Sequence, residues 1–328
     1  MRRGVVIGKF YPFHKGHQYV IETALKKVDF LTVIVTGKHG QLIKPSVRAS
    51  WIKKIYPQVK VKLIYHNIAD DDDEKWAKKT VEWATYKPDF VFTSENYGDH
   101  WAQLMGAVHV AVDIPRKVFP ISGTKIRENP LEYLDFLHPV VRSYFVRKIC
   151  IVGAESTGST TLSVALAKEL KTGWTFEFGR YYWQGKMDSK FAKWDHREFA
   201  YIAKVQNQLE DELGGYSNKV LICDTNSLVT YAWEEFFMKK GSLKVEKLFT
   251  NRKYDLYIVT DVDIPFVSDG VRVAKNRREQ MHKQFIELLK KYGQKYIVVS
   301  GSVAKRVQAS KVAIDKVVSS YQIDEKIL

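Results

Sequence analysis

The chain has 328 residues, 45% of them hydrophobic, two cysteines and a formal net charge of +15 at pH 7. That length supports two domains with cores of their own. Apolar runs such as FLTVIVTG (30–37) fall far short of the roughly 20 residues a membrane-spanning helix needs, so a soluble cytoplasmic protein is expected.

The first half alternates short apolar runs with amphipathic stretches. In chain order these are RGVVIG (3–8), HQYVIETALKKV (17–28), FLTVIVTG, VRASWIKKIY (47–56), VKLIYH (61–66), EKWAKKTVEWATY (74–86), DFVFTS (89–94), HWAQLMG (100–106) and VHVAV (108–112). This βα alternation predicts a parallel sheet with helices on both faces. Helical stretches follow at GTKIREN (123–129) and LEYLDFL (131–137), and HPVVRSYFVR (138–147) reads as a helical connector. The alternation then restarts, with strands expected at 148–153, WTFEF (174–178), KVLICDT (219–225), YDLYIVT (254–260) and KYIVVSG (295–301), and a last helix near 303–320. The restart predicts two α/β domains, 1–145 and 146–328. Cys150 and Cys223 each lie inside an apolar run, which suggests buried thiols rather than a disulfide or a metal pair.

The charge suits a nucleic-acid partner or a polyphosphate substrate. Zinc-finger spacing and an aromatic RNA-binding signature are both absent, so phosphate chemistry is the better reading. Near the amino terminus, GKFYPFHKGH puts a Gly-started turn after a strand and His14, Gly16 and His17 at a helix start, where backbone amides attract anions and imidazoles can donate to phosphate oxygens. Lys9 and Lys15 add positive charge. ISGTKIR (121–127) offers Ser122 and Thr124 hydroxyls, the Gly123 amide and Arg127, a set that suits a departing pyrophosphate.

The second half opens with GAESTGSTT (153–161) between a strand and a helix. It fits the phosphate-binding loop G-x-x-x-x-G-K-[ST] except that Ser159 stands where the lysine belongs. Gly153, Glu155, Ser156, Thr157, Gly158, Ser159, Thr160 and Thr161 form the expected phosphate cradle, whose amide nest does not depend on side chains. Thr160 and Asp224, at the end of an apolar strand, are the expected Mg2+ pair. Glu177 and Arg180 follow another strand as a further polar pair, with Glu177 assigned a catalytic role beside Asp224. DIPFVSDGVRVAKNRREQ (263–280) reads as a lid whose Asp269, Arg272, Arg277 and Arg278 approach the transferring phosphoryl group. Trp76, after the acidic run DDDDEK (70–75), is the candidate pyridine-stacking residue, and Trp83 is read as core.

The pairing of HKGH with ISGTKIR resembles the HxGH and ISxTxIR signatures of the nucleotidylyltransferase superfamily. It implies a Rossmann-like domain that binds ATP through Gly8, Lys9, Phe10, Gly16, Ser122, Gly123 and Thr124, with His14, His17 and Arg127 as catalytic groups and no covalent intermediate. Its junction to GAESTG further resembles bifunctional NadR-type proteins, in which a nicotinamide mononucleotide adenylyltransferase domain precedes a P-loop NTPase ribosylnicotinamide kinase domain. The resemblance implies nicotinamide riboside, the mononucleotide and ATP as substrates, NAD as a product, and Mg2+ as the metal. This chain begins at the adenylyltransferase strand, so neither repressor activity nor specific DNA binding is expected, and no membrane partner is. Three alternatives stay open: a second domain that senses nucleotide without phosphorylating, a nucleic-acid-binding regulator, and nicotinate mononucleotide as acceptor. A homo-oligomer is compatible with the sequence and not set by it.

Overall fold

The structure is a computed structural model that describes residues 1–69, 71–190, 192–270 and 275–321. Its contacts divide the described chain into two compact units, Met1–Val141 and Arg142–Tyr321. The division falls four residues before the expected boundary, inside the helix Pro139–Phe145. Arg142 Nε donates to the Ser217 carbonyl (2.9 Å), which ties that half of the helix to the second unit.

The first unit is built on β1 (Arg3–Gly8), α1 (Lys15–Leu25), β2 (Phe30–Gly37), α2 (Pro45–Ile55), β3 (Lys60–Tyr65), α3 (Asp73–Ala84), β4 (Phe90–Thr93), α4 (Gly98–Met105), β5 (Val108–Ala111) and α5 (Gly123–Glu128). Its five strands are all parallel, in the order β3-β2-β1-β4-β5. Seven of the eight residues of β2 are buried, as a strand covered by helices on both faces requires. Val5, Ile34 and Val91 of three neighbouring strands pack with Ala77, Ala84 and Trp101 of α3 and α4. Chain order reverses between β1 and β4, so the crevice at the carboxyl ends of these two strands is where a ligand of such a sheet sits. The expected helix at LEYLDFL is only a 3-10 turn, Leu134–Phe136.

After α6 (Pro139–Phe145), the second unit runs β6 (Arg147–Gly153), α7 (Ser159–Glu169), β7 (Trp174–Thr175), α8 (Phe178–Gln184), α9 (His196–Gly214), β8 (Val220–Asp224), α10 (Ser227–Met238), α11 (Leu243–Thr250), β9 (Leu256–Thr260), α12 (Arg278–Lys291), β10 (Tyr296–Val299) and α13 (Val303–Ser319). Its parallel sheet has the order β10-β9-β6-β8-β7. The strand expected over WTFEF is two residues long. Glu177 is instead the N-cap residue of α8 and Arg180 lies on that helix, so neither ends a strand. Cys150 and Cys223 face each other in register on β6 and β8, fully buried, and burial pushes both thiols well above their usual range. Such thiols are inert core residues.

Candidate active sites

In the first unit the turn after β1 carries the histidine pair to the mouth of the crevice. His14 is the N-cap of α1: its Nδ1 accepts from the Gly16 amide (3.1 Å), and His17 Nδ1 accepts from the His14 amide (3.3 Å). With both Nδ1 atoms used as acceptors, each neutral ring keeps its proton on Nε2 and can donate it. Burial lowers the His14 imidazole to about 3, helped by the Arg116 cation. His17 is driven well below its usual value by burial, by His14 and by Arg116. The rings stack with centroids 3.8 Å apart, and Phe10 and Phe13 wall in His17. Neutral N–H donors at a positive helix start can hydrogen-bond an anion without carrying a titrating charge of their own.

The two sequence motifs meet here. A Cβ on Gly123 would lie 2.4 Å from the Tyr11 carbonyl oxygen, so only glycine lets the start of α5 approach the turn this closely. Arg127 Nη1 donates to that same carbonyl (2.5 Å), Nη2 donates to Thr124 Oγ1 (3.2 Å), and the guanidinium covers the Tyr11 ring. Ser122 caps α5 by accepting from the Lys125 amide (3.3 Å). Gly8 abuts the Phe10 ring, Gly16 abuts the His14 ring, and Lys9 and Lys15 are exposed.

Two residues that the motifs do not reveal belong to this site. Arg48 of α2 is fully buried, donates to the Lys9 and Thr36 carbonyls and to Gln41 Oε1, and also lies over the Tyr11 ring (4.9 Å). Arg116 is bonded to Glu95 (3.2 Å) and felt by both histidines. The charge within PRKVFPISGT is the only sequence signal for Arg116; an arginine on an amphipathic helix gives none for Arg48. Trp76 is half-buried, packs edge-on to His66 and Trp83, and donates its indole N–H to the Ala69 carbonyl (2.9 Å), while Trp83 packs on the core as expected.

In the second unit the loop 153–161 joins β6 to α7 with Ser156 and Gly158 at positive φ. Two of its hydroxyls are committed to the loop's own shape. Thr157 is fully buried; its Oγ1 donates to the Ala154 carbonyl (2.6 Å) and bonds Thr260 Oγ1 (2.7 Å), so that its side chain serves the loop's own structure. Ser156 Oγ accepts from the Val267 amide (2.8 Å). Asp224 ends β8 beneath the loop, beside the hydroxyls of Thr160 and Ser163. Burial raises its carboxyl to about 6 against those hydroxyls and Arg180, and its Oδ1 is buried without a partner. A lone buried carboxylate oxygen next to a hydroxyl is a hard-oxygen pair of the kind Mg2+ takes. The described residues hold no group of three or more His, Cys, Asp or Glu that could bind a metal, so most of its ligands would come from nucleotide phosphates and water.

A pocket opens beside the loop, lined by Ser159, Thr160, Glu177 and Arg180 and closed by the aromatic rings of Trp183, Trp194 and Trp233. Trp183 and Trp194 stack at 4.9 Å, and Phe237 joins Trp194 to Trp233. Sequence reading missed this box because its rings come from α8, α10 and a connecting segment; the signal available was the aromatic density of RYYW and YAWEEFF. Of the expected lid arginines, Arg272 lies outside the described residues. Arg277 sits over the Phe236 ring, and Arg278 turns under the phosphate loop, where it donates to the Glu155, Ser156 and Ile264 carbonyls (3.1, 3.1 and 3.0 Å). Asp269 pairs with Arg180.

Residues 3–70 match the family described as citrate lyase ligase C-terminal domain, and residues 148–306 match the AAA domain family. The chain is 28% identical over 321 residues to the trifunctional NAD biosynthesis/regulator protein NadR of Escherichia coli, covering 90% of this chain and 78% of that one. A crystal structure of NadR protein in complex with NR covers 99% of this chain and 98% of its own with a TM-score of 0.74 at 17% identity. A second, of NadR protein in complex with NAD and AMP-PNP, covers 98% and 97% with a TM-score of 0.72 at 19% identity. The fold is that of two α/β domains, a nucleotidyltransferase-like unit followed by a P-loop kinase-like unit. The chain is similar to NadR proteins along most of its length.

Proposed function

We propose that the chain carries out two consecutive steps of NAD synthesis: ATP phosphorylates nicotinamide riboside in the second unit, and the first unit transfers AMP from a second ATP to the resulting mononucleotide, giving NAD and pyrophosphate. The observation that carries this reading is the contact of the HKGH turn with the ISGTKIR helix at Gly123 and Arg127, since a triphosphate is the ligand that needs both motifs at once. The Nε2–H groups of His14 and His17 hold the α-phosphate while the mononucleotide phosphate attacks it in line, and Ser122, Thr124 and Arg127 hold the departing pyrophosphate. In the second unit the loop amides would cradle the triphosphate, and Asp224 would orient the acceptor hydroxyl and, with Thr160, hold the metal. Mg2+ bound by Thr160 and Asp224 would neutralise charge developing on the phosphoryl oxygens. The box of Trp183, Trp194 and Trp233 fits the pyridinium ring of the riboside, because aromatic faces attract a desolvated cation. Trp76 is proposed as the pyridine contact of the first unit, through the exposed part of its indole. The test is a chromatographic assay with nicotinamide riboside and Mg-ATP beside one given the mononucleotide. NAD from both is expected; NAD from the mononucleotide alone would remove the kinase step and leave the second unit a nucleotide sensor.

A further inference from the structure

Ser159 removes the one side-chain cation that a phosphate-binding loop normally supplies from within itself. Two guanidinium groups from distant parts of the chain contact the back of this loop. Arg278, the first residue of α12, donates through Nε and Nη2 to the Glu155 and Ser156 carbonyls. Arg306 of α13 is 3% exposed and donates through Nη1 to the next carbonyl, that of Thr157. That Nη1 lies 3.5 Å from where a Cβ on Gly158 would be, one residue before Ser159. Asp263 holds Arg306 in place through Nη2 while its other oxygen accepts from the Gly301 amide. Three successive carbonyls are therefore bonded to arginine. A trans peptide points its N–H opposite to its C=O, so fixing these carbonyls fixes the direction of the three amides that follow. Two guanidinium charges against one carboxylate also leave positive charge behind the cradle, at close range and largely out of water.

We propose that Arg278 and Arg306 together replace the missing loop lysine: they are positioning residues that orient the loop peptides on either side of Thr157, whose own amide donates to the Ala154 carbonyl (3.2 Å), and supply, through the peptide carbonyls, the positive charge that Ser159 withholds from the terminal phosphates of ATP. This rests on the kinase reading of the second unit. A purely structural role would change folding and leave nucleotide affinity beyond the reach of a lysine placed in the loop; the proposed role makes the two exchangeable.

The experiment compares Arg278→Gln, Arg306→Gln and Arg306→Lys, each with and without Ser159→Lys, by the KM for Mg-ATP in riboside phosphorylation, with adenylylation of the mononucleotide as the control for an intact chain. Each glutamine variant is expected to raise that KM about tenfold or more, the loss of one charged hydrogen bond. Ser159→Lys is expected to return it to within about threefold of the parent, and Arg306→Lys to fall between. Glutamine variants with an unchanged KM, or a rise that Ser159→Lys does not reverse, overturn the proposal. Should Arg306→Gln not fold, the half-buried Arg278 and the charge-keeping Arg306→Lys decide the same question. A wild-type chain that makes no mononucleotide from the riboside would sink the kinase reading instead; calorimetric titration with Mg-AMP-PNP then reads whether the same losses and the same rescue occur in nucleotide binding without catalysis.

Discussion

At the scale of single residues, the two sites hold their titratable groups in opposite ways. Asp224 is a buried carboxyl raised to about 6 by desolvation, with one oxygen that has no hydrogen-bond partner among the described residues. Because its folded pKa lies above the unfolded value of 3.8, the folded chain holds the extra proton; this stabilisation is present at low pH and lost as pH rises through about 6. Asp224→Asn should therefore stabilise the second unit at pH 7.5 by up to about 3 kcal/mol, seen as a Tm several degrees higher, while phosphorylation of the riboside falls by at least about 100-fold. In the parent, kcat/KM for that reaction should fall as pH drops below about 6. His14 runs the other way. Its folded pKa near 3 lies below the unfolded 6.5, so the unfolded chain takes up the proton, and stability is full above pH 6.5 and declines toward pH 3. At pH 5 the contribution lost is about 2 kcal/mol. Asparagine is also a good helix N-cap, so His14→Asn should keep α1 and shrink the drop in Tm between pH 7.5 and 5.0; an undiminished drop would refute the assignment.

At the scale of elements, the first site depends on how closely the start of α5 approaches the turn after β1. The Tyr11 carbonyl is the shared point, accepting from Arg127 and lying against Gly123. Gly123→Ala puts a methyl group 2.4 Å from that oxygen, and the backbone has to move by a sizeable fraction of an ångström to admit it. The stability loss should be about 1–3 kcal/mol, as for overpacking elsewhere. Adenylylation of the mononucleotide should fall about 100-fold, because the phosphate-binding halves are displaced from one another. Riboside phosphorylation, measured in the same preparation, should be unchanged. In the second unit the corresponding element is the phosphate loop, held from inside by Thr157 on Thr260 and from outside by Ser156 on the Val267 amide.

Across the whole molecule, each unit has its own sheet, core and candidate phosphate site, so the two proposed reactions should separate by mutation. Given riboside and ATP, His17→Asn should accumulate the mononucleotide and make little NAD, whereas Asp224→Asn should leave the riboside untouched yet convert added mononucleotide normally. Chromatography of the nucleotide pool reads both, and loss of both activities in either variant would contradict two self-contained sites.

The paired motifs, the βα alternation and the restart after residue 145 were legible in the sequence, because a strand, a glycine-marked turn and a helix start are local: the chemistry of an anion site at a helix N-terminus is written in a dozen consecutive residues. WTFEF misled for the same local reason. Its alternation suits a strand, but only Trp174 and Thr175 find a partner on β8, and the chain then turns into α8. What tertiary structure alone decided is where side chains from distant segments end. Arg48 and Arg306 have no sequence pattern that separates them from the other basic residues of a chain of net charge +15, and Arg278, expected from the sequence on a lid, bonds the carbonyls of the phosphate loop. The aromatic box needs rings from three segments, and Thr157 faces the core because β9 places Thr260 beneath it. Local motifs specify which ligand atoms each loop can bind; packing between distant elements decides which charges and rings stand around them, and that depends on register and burial, which short-range pattern does not encode.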